Sequence, residues 1–106
     1  MGQRVNRGEI WWAHAGGKRR PVLVLTRPEV IDVRQLVTVA EVTTAIRGLH
    51  SEVLIDKPDV GLPLESAVNC DGLHTVRRST LDECIGELDG GTMNAVCQSV
   101  AYALGC

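Results

Sequence analysis

Phenylalanine is missing from these 106 residues, and Trp11, Trp12 and Tyr102 are the whole aromatic complement. The core must therefore be aliphatic. An apolar share of 44% supplies one such core, and the chain is too short for two, so residues 1–106 read as a single domain. The four cysteines, Cys70, Cys84, Cys97 and Cys106, lack the short spacings of a zinc knuckle or redox pair. They read as small buried thiols in a reducing cytosol, with Cys97 on the apolar face of a predicted helix. No apolar run approaches the roughly 18 residues of a membrane-spanning helix, and nothing resembles a signal peptide. No P-loop, GxGxxG or Ser-His-Asp arrangement occurs, which excludes the commonest nucleotide sites and triad hydrolases.

No large excess of either charge exists overall, since 11 Lys and Arg face 13 Asp and Glu for a net value of -2. The distribution says more. Residues 1–20 carry Arg4, Arg7, Lys18, Arg19 and Arg20 against Glu9, about +4, whereas residues 51–106 are acidic. Lys18-Arg19-Arg20-Pro21 opens directly into Val22-Leu23-Val24-Leu25. Three cations cannot be buried without partners, and the apolar run can hardly be left exposed. A positive patch is thus fixed at the mouth of a core strand. Pro21 pushes Arg20 into an extended conformation, and Gly16-Gly17 supplies a turn before it. Such a cluster suits an anion or phosphate.

The pattern predicts strands at Glu9–Ala15, Val22–Thr26, Leu36–Thr43, Glu52–Asp56, Ser66–Asp71 and Cys84–Leu88. His74–Val76 can extend the fifth. Gly16–Arg20 is expected as a turn, Pro28–Asp32 as a loop or one helical turn, and Lys57–Glu65 as a loop. Gly72 marks a bulge or turn, and Ser79 with Asp82 has capping-box spacing. A helix runs from Met93 to Leu104 with a stripe of Met93, Val96, Cys97, Val100 and Leu104, stopped by Gly105. Many short strands closed by a terminal helix give a mainly β fold. Alternation sets Trp11 opposite Ile10 and Trp12, either outward towards a partner or buried under another layer.

Several residues can carry chemistry. Arg20 can bind a phosphate through two N–H groups at any working pH, or it can pair structurally with a carboxylate such as Glu41. Thr43, at a strand end, can donate to a phosphate oxygen. His14, His50 and His74 titrate near working pH and are acid–base candidates. Ser66, Asn69 and Asp71 line one strand, with Asn69 and Asp71 on one face, where they can meet nucleobase edges. No His or Cys cluster suggests a metal, and no cofactor is expected.

Taken together, Arg7-Gly8-Glu9-Ile10-Trp11-Trp12 and Gly17-Lys18-Arg19-Arg20-Pro21-Val22-Leu23-Val24 resemble the opening of the MazF/PemK toxins. The resemblance continues through Val42-Thr43, Arg47, Glu52-Val53, Gly61-Leu62-Pro63, Ser66-Ala67-Val68-Asn69-Cys70-Asp71, Thr75-Val76 and the last helix. It implies a small SH3-like barrel of the MazF/PemK/CcdB type with a C-terminal helix, acting as a cytoplasmic homodimer. It implies a type II toxin that cleaves single-stranded RNA, whether mRNA, rRNA or tRNA, without a metal. In that chemistry the 2′-OH attacks the phosphate and leaves 2′,3′-cyclic phosphate and 5′-OH ends. Arg20 and Thr43 match the family's catalytic Arg and Thr. Lys18, Arg19, Asn69, Asp71 and His74 fall where RNA is bound, and the expected protein partner is an acidic antitoxin. Asp71-Gly72-Leu73-His74-Thr75 departs from the Asp-Gln-Ile-Arg-Thr of many members. Two alternatives are a gyrase-poisoning binder like the CcdB toxins, which lack the Lys-Arg-Arg-Pro feature, and an RNA-binding barrel that cuts nothing.

Overall fold

The computed structural model describes residues 4–55, 61, 62 and 64–106. Its elements run β1 (Glu9–Ala15), β2 (Lys18–Val24), α1 (Pro28–Ile31), β3 (Leu36–Thr43), β4 (Glu52–Ile55), β5 (Ser66–Arg77), β6 (Glu83–Glu87) and α2 (Gly90–Leu104). The strands form one antiparallel sheet in the order β4-β5-β3-β2-β1-β6. The mainly β expectation with a terminal helix is met. The barrel is not closed among the described residues, because β4 and β6 remain edges. Both are short, as edge strands usually are. One bond reaches across: the Gly61 N–H donates to the Ile85 carbonyl of β6 at 2.7 Å.

The central strands are buried on both faces, so their apolar residues run on without alternating. On one face Trp11, Val22, Val24, Val37 and Val39 pack with Val5, Ile31 and Leu81. On the other, Ile10, Leu23, Ala40, Val42, Val68 and Cys70 lie with Val96, Met93 and Val100 of α2. Two thin aliphatic layers replace the large aromatic core this composition cannot build. Trp11 is 4% exposed, inside the first layer, which excludes it as an outward partner contact. Trp12 is the half-buried one.

Several boundaries differ from expectation. β2 begins at Lys18, because Gly16 and Gly17, at φ 61° and 80°, complete the turn alone. Left-handed backbone at two successive positions is what glycine supplies cheaply. β5 runs unbroken from Ser66 to Arg77, with the register slip opposite Ala40/Glu41 absorbed around Gly72. Ser79 caps nothing; Arg78–Thr80 is a 3-10 turn with no side-chain cap. Only Cys70 is a buried thiol, and Cys84, Cys97 and Cys106 are exposed. Cys97 turns off the apolar stripe to lie 3.1 Å from Arg7 Nη2. Residues 56–60 and 63, which hold most of the expected 57–65 loop and the Asp56 end of the fourth strand, lie outside the described residues.

Candidate RNA-cleavage site

The register brings the polar residues together. Val22 pairs with Glu41, and Glu41 with Asn69. Continued two residues past its last pair, the β2–β3 register sets Thr43 opposite Arg20. His74 pairs with Val39. Partners across a sheet share a face. Arg20, Glu41, Thr43, Asn69 and His74 therefore lie on the face of Trp11 and Val22, at its polar end, with the first aliphatic layer beside them.

Glu41 is the hub. One carboxylate oxygen accepts from Arg20 Nη1 at 2.6 Å, and the other lies 2.5 Å from His74 Nε2. The side chains of Arg20, Glu41 and His74 are 22%, 18% and 26% exposed, so water screens the group only partly. The structural reading of Arg20 as a partner of Glu41 is thus realised. Its Nε is cut off from solvent and has no acceptor. An unmet buried donor is costly, and a phosphate oxygen can relieve it. Thr43 Oγ1 accepts from the Ala45 N–H at 3.0 Å. That bond fixes the oxygen and leaves the hydroxyl proton free to donate.

Two glycines make room for this group. A Cβ on Gly72 would stand 2.9 Å from Glu41 Cδ and 3.0 Å from Asn69 Nδ2. A Cβ on Gly16 would stand 3.2 Å from His74 Cε1. Asn69 Oδ1 accepts from the Asp71 N–H, and Ser51 Oγ donates to Asp71 Oδ2 at 2.5 Å. The Asn69–Asp71 segment is thereby shaped where β5 slips register.

The basic triplet is split. Lys18 and Arg20 share the site face, and alternation sends Arg19 to the other side. There Arg19 grips Asp82 with Nε and Nη2 at 3.2 and 3.0 Å and lies over the Trp12 ring, 4.7 Å from its centre. His14 is exposed on β1. His50 is exposed too, with its ring against Tyr102. Neither belongs to the Glu41 group, so one histidine of three enters the site. Ser66 is buried and donates to the Leu64 carbonyl. Glu41 as a bridge and Ser51 as the holder of Asp71 were not foreseen. The signal for Glu41 was an acid in an otherwise apolar strand buried on both faces.

Nearby, the Glu52 carboxyl is held below its ordinary value, chiefly by the Arg47 backbone N–H, with Leu49 adding a second such bond. Burial pushes the Cys70 thiol up to about 11, helped by the Asp71 charge. Among the described residues no His, Cys, Asp and Glu side chains converge as a metal-binding group, and no helix is long and apolar enough to cross a membrane.

Comparison with known proteins matches residues 6–104 to the family of PemK-like, MazF-like toxins of type II toxin–antitoxin systems. The chain is 40% identical over 101 residues to a probable endoribonuclease, MazF5, of Mycobacterium tuberculosis, covering 94% of this chain and 93% of that one. Among solved structures, the Mycobacterium tuberculosis toxin MazF-mt6 superposes with a TM-score of 0.84 at 37% identity, covering 92% of this chain and 96% of that one. A mycobacterial endoribonuclease in complex with its cognate antitoxin gives a TM-score of 0.86 at 26% identity, covering 96% of each chain.

Proposed function

Because this chain belongs to the PemK-like, MazF-like toxin family, we infer that it is an endoribonuclease, the toxin of a type II toxin–antitoxin pair. Its substrate is single-stranded RNA, cut at the Arg20–Thr43 end of the sheet without a metal or cofactor. The 2′-OH attacks the adjacent phosphorus, and the products carry 2′,3′-cyclic phosphate and 5′-OH ends. What supports this reading is that the β2–β3 register, continued two residues past Val22 and Glu41, sets the Arg20 guanidinium and the free Thr43 hydroxyl proton on one face. Donors fixed there can meet the charge that develops on the phosphate oxygens, with no reorganisation at the moment of reaction.

Lys18 and Asn69 flank the pair and contact the strand. Asp71 and His74 border it, whereas Arg19 with Trp12 offers a stacking surface on the other side of β2, away from the pair. The enzyme works in the cytoplasm as a homodimer. An antitoxin with acidic residues silences it by covering Lys18 and Arg20, where a carboxylate can take the place of a phosphate.

Arg20→Ala tests the assignment. Loss of one fixed charge donor costs on the order of 100- to 1000-fold in rate. Thr43→Ala is expected to act in the same direction. A folded Arg20→Ala protein that cuts RNA within a few-fold of wild type would refute the site.

A further inference from the structure

We propose that His74 is a catalytic residue of the cleavage step, accepting the 2′-OH proton through Nδ1, and that Glu41 is its positioning residue. The inference rests on the nuclease reading and assigns a group that Arg20 and Thr43 cannot supply. Arginine stays charged and a threonine hydroxyl is too weakly basic, so neither takes a proton near neutral pH.

The geometry at His74 decides the tautomer. An ionised carboxylate only accepts, so at 2.5 Å from Glu41 Oε2 the His74 Nε2 carries the hydrogen. The neutral ring then holds its lone pair on Nδ1. No described residue bonds that atom. The Gly16 turn lies against one side of the ring, and the carboxylate that bonds Nε2 is itself pinned by Arg20. This is the logic of a hydrolase triad, in which an acid orients an imidazole and steadies the cation it becomes. The charged groups around His74 are Glu41 from β3, Arg20 behind it on β2, Lys18 two residues from Arg20 on the same face, and Asp71 and Arg77 on its own strand.

The step balances. Nδ1 takes the 2′-OH proton as the 2′-oxygen bonds to phosphorus. The bond from phosphorus to the 5′-oxygen breaks, and that oxygen takes a proton from water. The imidazolium then returns its proton to solvent. The diester charge of the reactant is carried on the cyclic phosphate.

The test is a pH–rate profile on a single-stranded RNA with wild type, His74→Asn, His74→Ala, Glu41→Gln and His14→Gln. If wild type cuts no RNA, the nuclease reading fails, and this inference with it. If wild type cuts, its rate should rise with pH through one titration and level off. His74→Asn keeps a donor for Glu41 but cannot take a proton, so it should lose roughly 100- to 10,000-fold and the rising limb. Added imidazole should restore part of the His74→Ala rate. Glu41→Gln no longer sets the tautomer of the ring, so it should lower kcat roughly 10- to 10,000-fold with KM little changed. His14→Gln should match wild type. A folded His74→Asn within threefold of wild type, a profile that falls where it should rise, or failure of imidazole to rescue a folded His74→Ala would overturn the assignment of His74. A folded Glu41→Gln whose kcat matches wild type would overturn that of Glu41.

Discussion

Glu41 and Gly72 depend on each other. The Glu41 carboxylate is tied at both oxygens, so it cannot swing aside for a Cβ at position 72 without releasing Arg20 or His74. Gly72→Ala is therefore expected to destabilise the fold by about 1–3 kcal/mol, as overpacking does, and to slow cleavage as well. Urea unfolding and a cleavage assay check both parts. A variant as stable and as active as wild type would contradict the crowding. At this scale the sequence was half legible. Arg20 and Thr43 stood out by type and position, and Glu41 was visible as a partner for Arg20. Its second bond, to His74, depends on how far β5 slips against β3; Gly72 marks a bulge or turn there, but a lone glycine does not set the register on either side of it. The same limit hid the split of Lys18-Arg19-Arg20. Alternation splits the basic run only because β2 starts at Lys18, inside the segment whose glycines read as a turn.

At the scale of elements, β1 and β3 fall where pattern put them, since both carry dense β-branched or apolar residues between clear breaks. The helix was legible in its stop and in Met93, Val96 and Val100 of its stripe, whereas Cys97 and Leu104 of that stripe are exposed. Gly105 sits at φ 76° and its N–H returns to the carbonyls of Ala101 and Tyr102. The helix begins at Gly90, three residues before the expected Met93, so Gly90-Gly91-Thr92 is already its first turn. Asp89 makes that possible: its side chain accepts from the Thr92 N–H at 2.7 Å. Asp89→Ala should cost about 0.5–2 kcal/mol, and Asp89→Ser should recover most of it. Equal melting of Asp89→Ala and wild type would remove the cap from the account. The cysteines test the packing of α2 on the sheet. Cys70 lies buried beneath Val96, with its thiol pushed up to about 11. A thiol reagent should label Cys84, Cys97 and Cys106 in the native protein and reach Cys70 only on unfolding. Rapid native labelling of Cys70 would mean that the layer opens.

For the whole molecule, charge has to be counted after pairing. The first twenty residues carry about +4, yet Glu41 holds Arg20 and Asp82 holds Arg19. The Arg19–Asp82 pair is about half exposed, 45% and 47%, so it contributes less than about 1 kcal/mol and can open to a phosphate. Lys18 has no ionic partner among the described residues. Each phosphate contact on a single strand steepens log K against log salt by about 0.7, so Lys18→Ala should flatten that slope by about that amount. An unchanged slope would place the RNA elsewhere. The fold class and family were legible because spacing along the entire chain carries them. The open sheet edges were not, because closure depends on how far a twisted sheet curls. The most direct test of the account is incubation of the purified protein with single-stranded RNA in excess EDTA, followed by chemical mapping of the cut ends. The expected result is undiminished cutting that leaves 2′,3′-cyclic phosphate and 5′-OH ends and is lost in Arg20→Ala. Cutting that stops in EDTA and returns with magnesium, or that leaves 5′-phosphate ends, would contradict it.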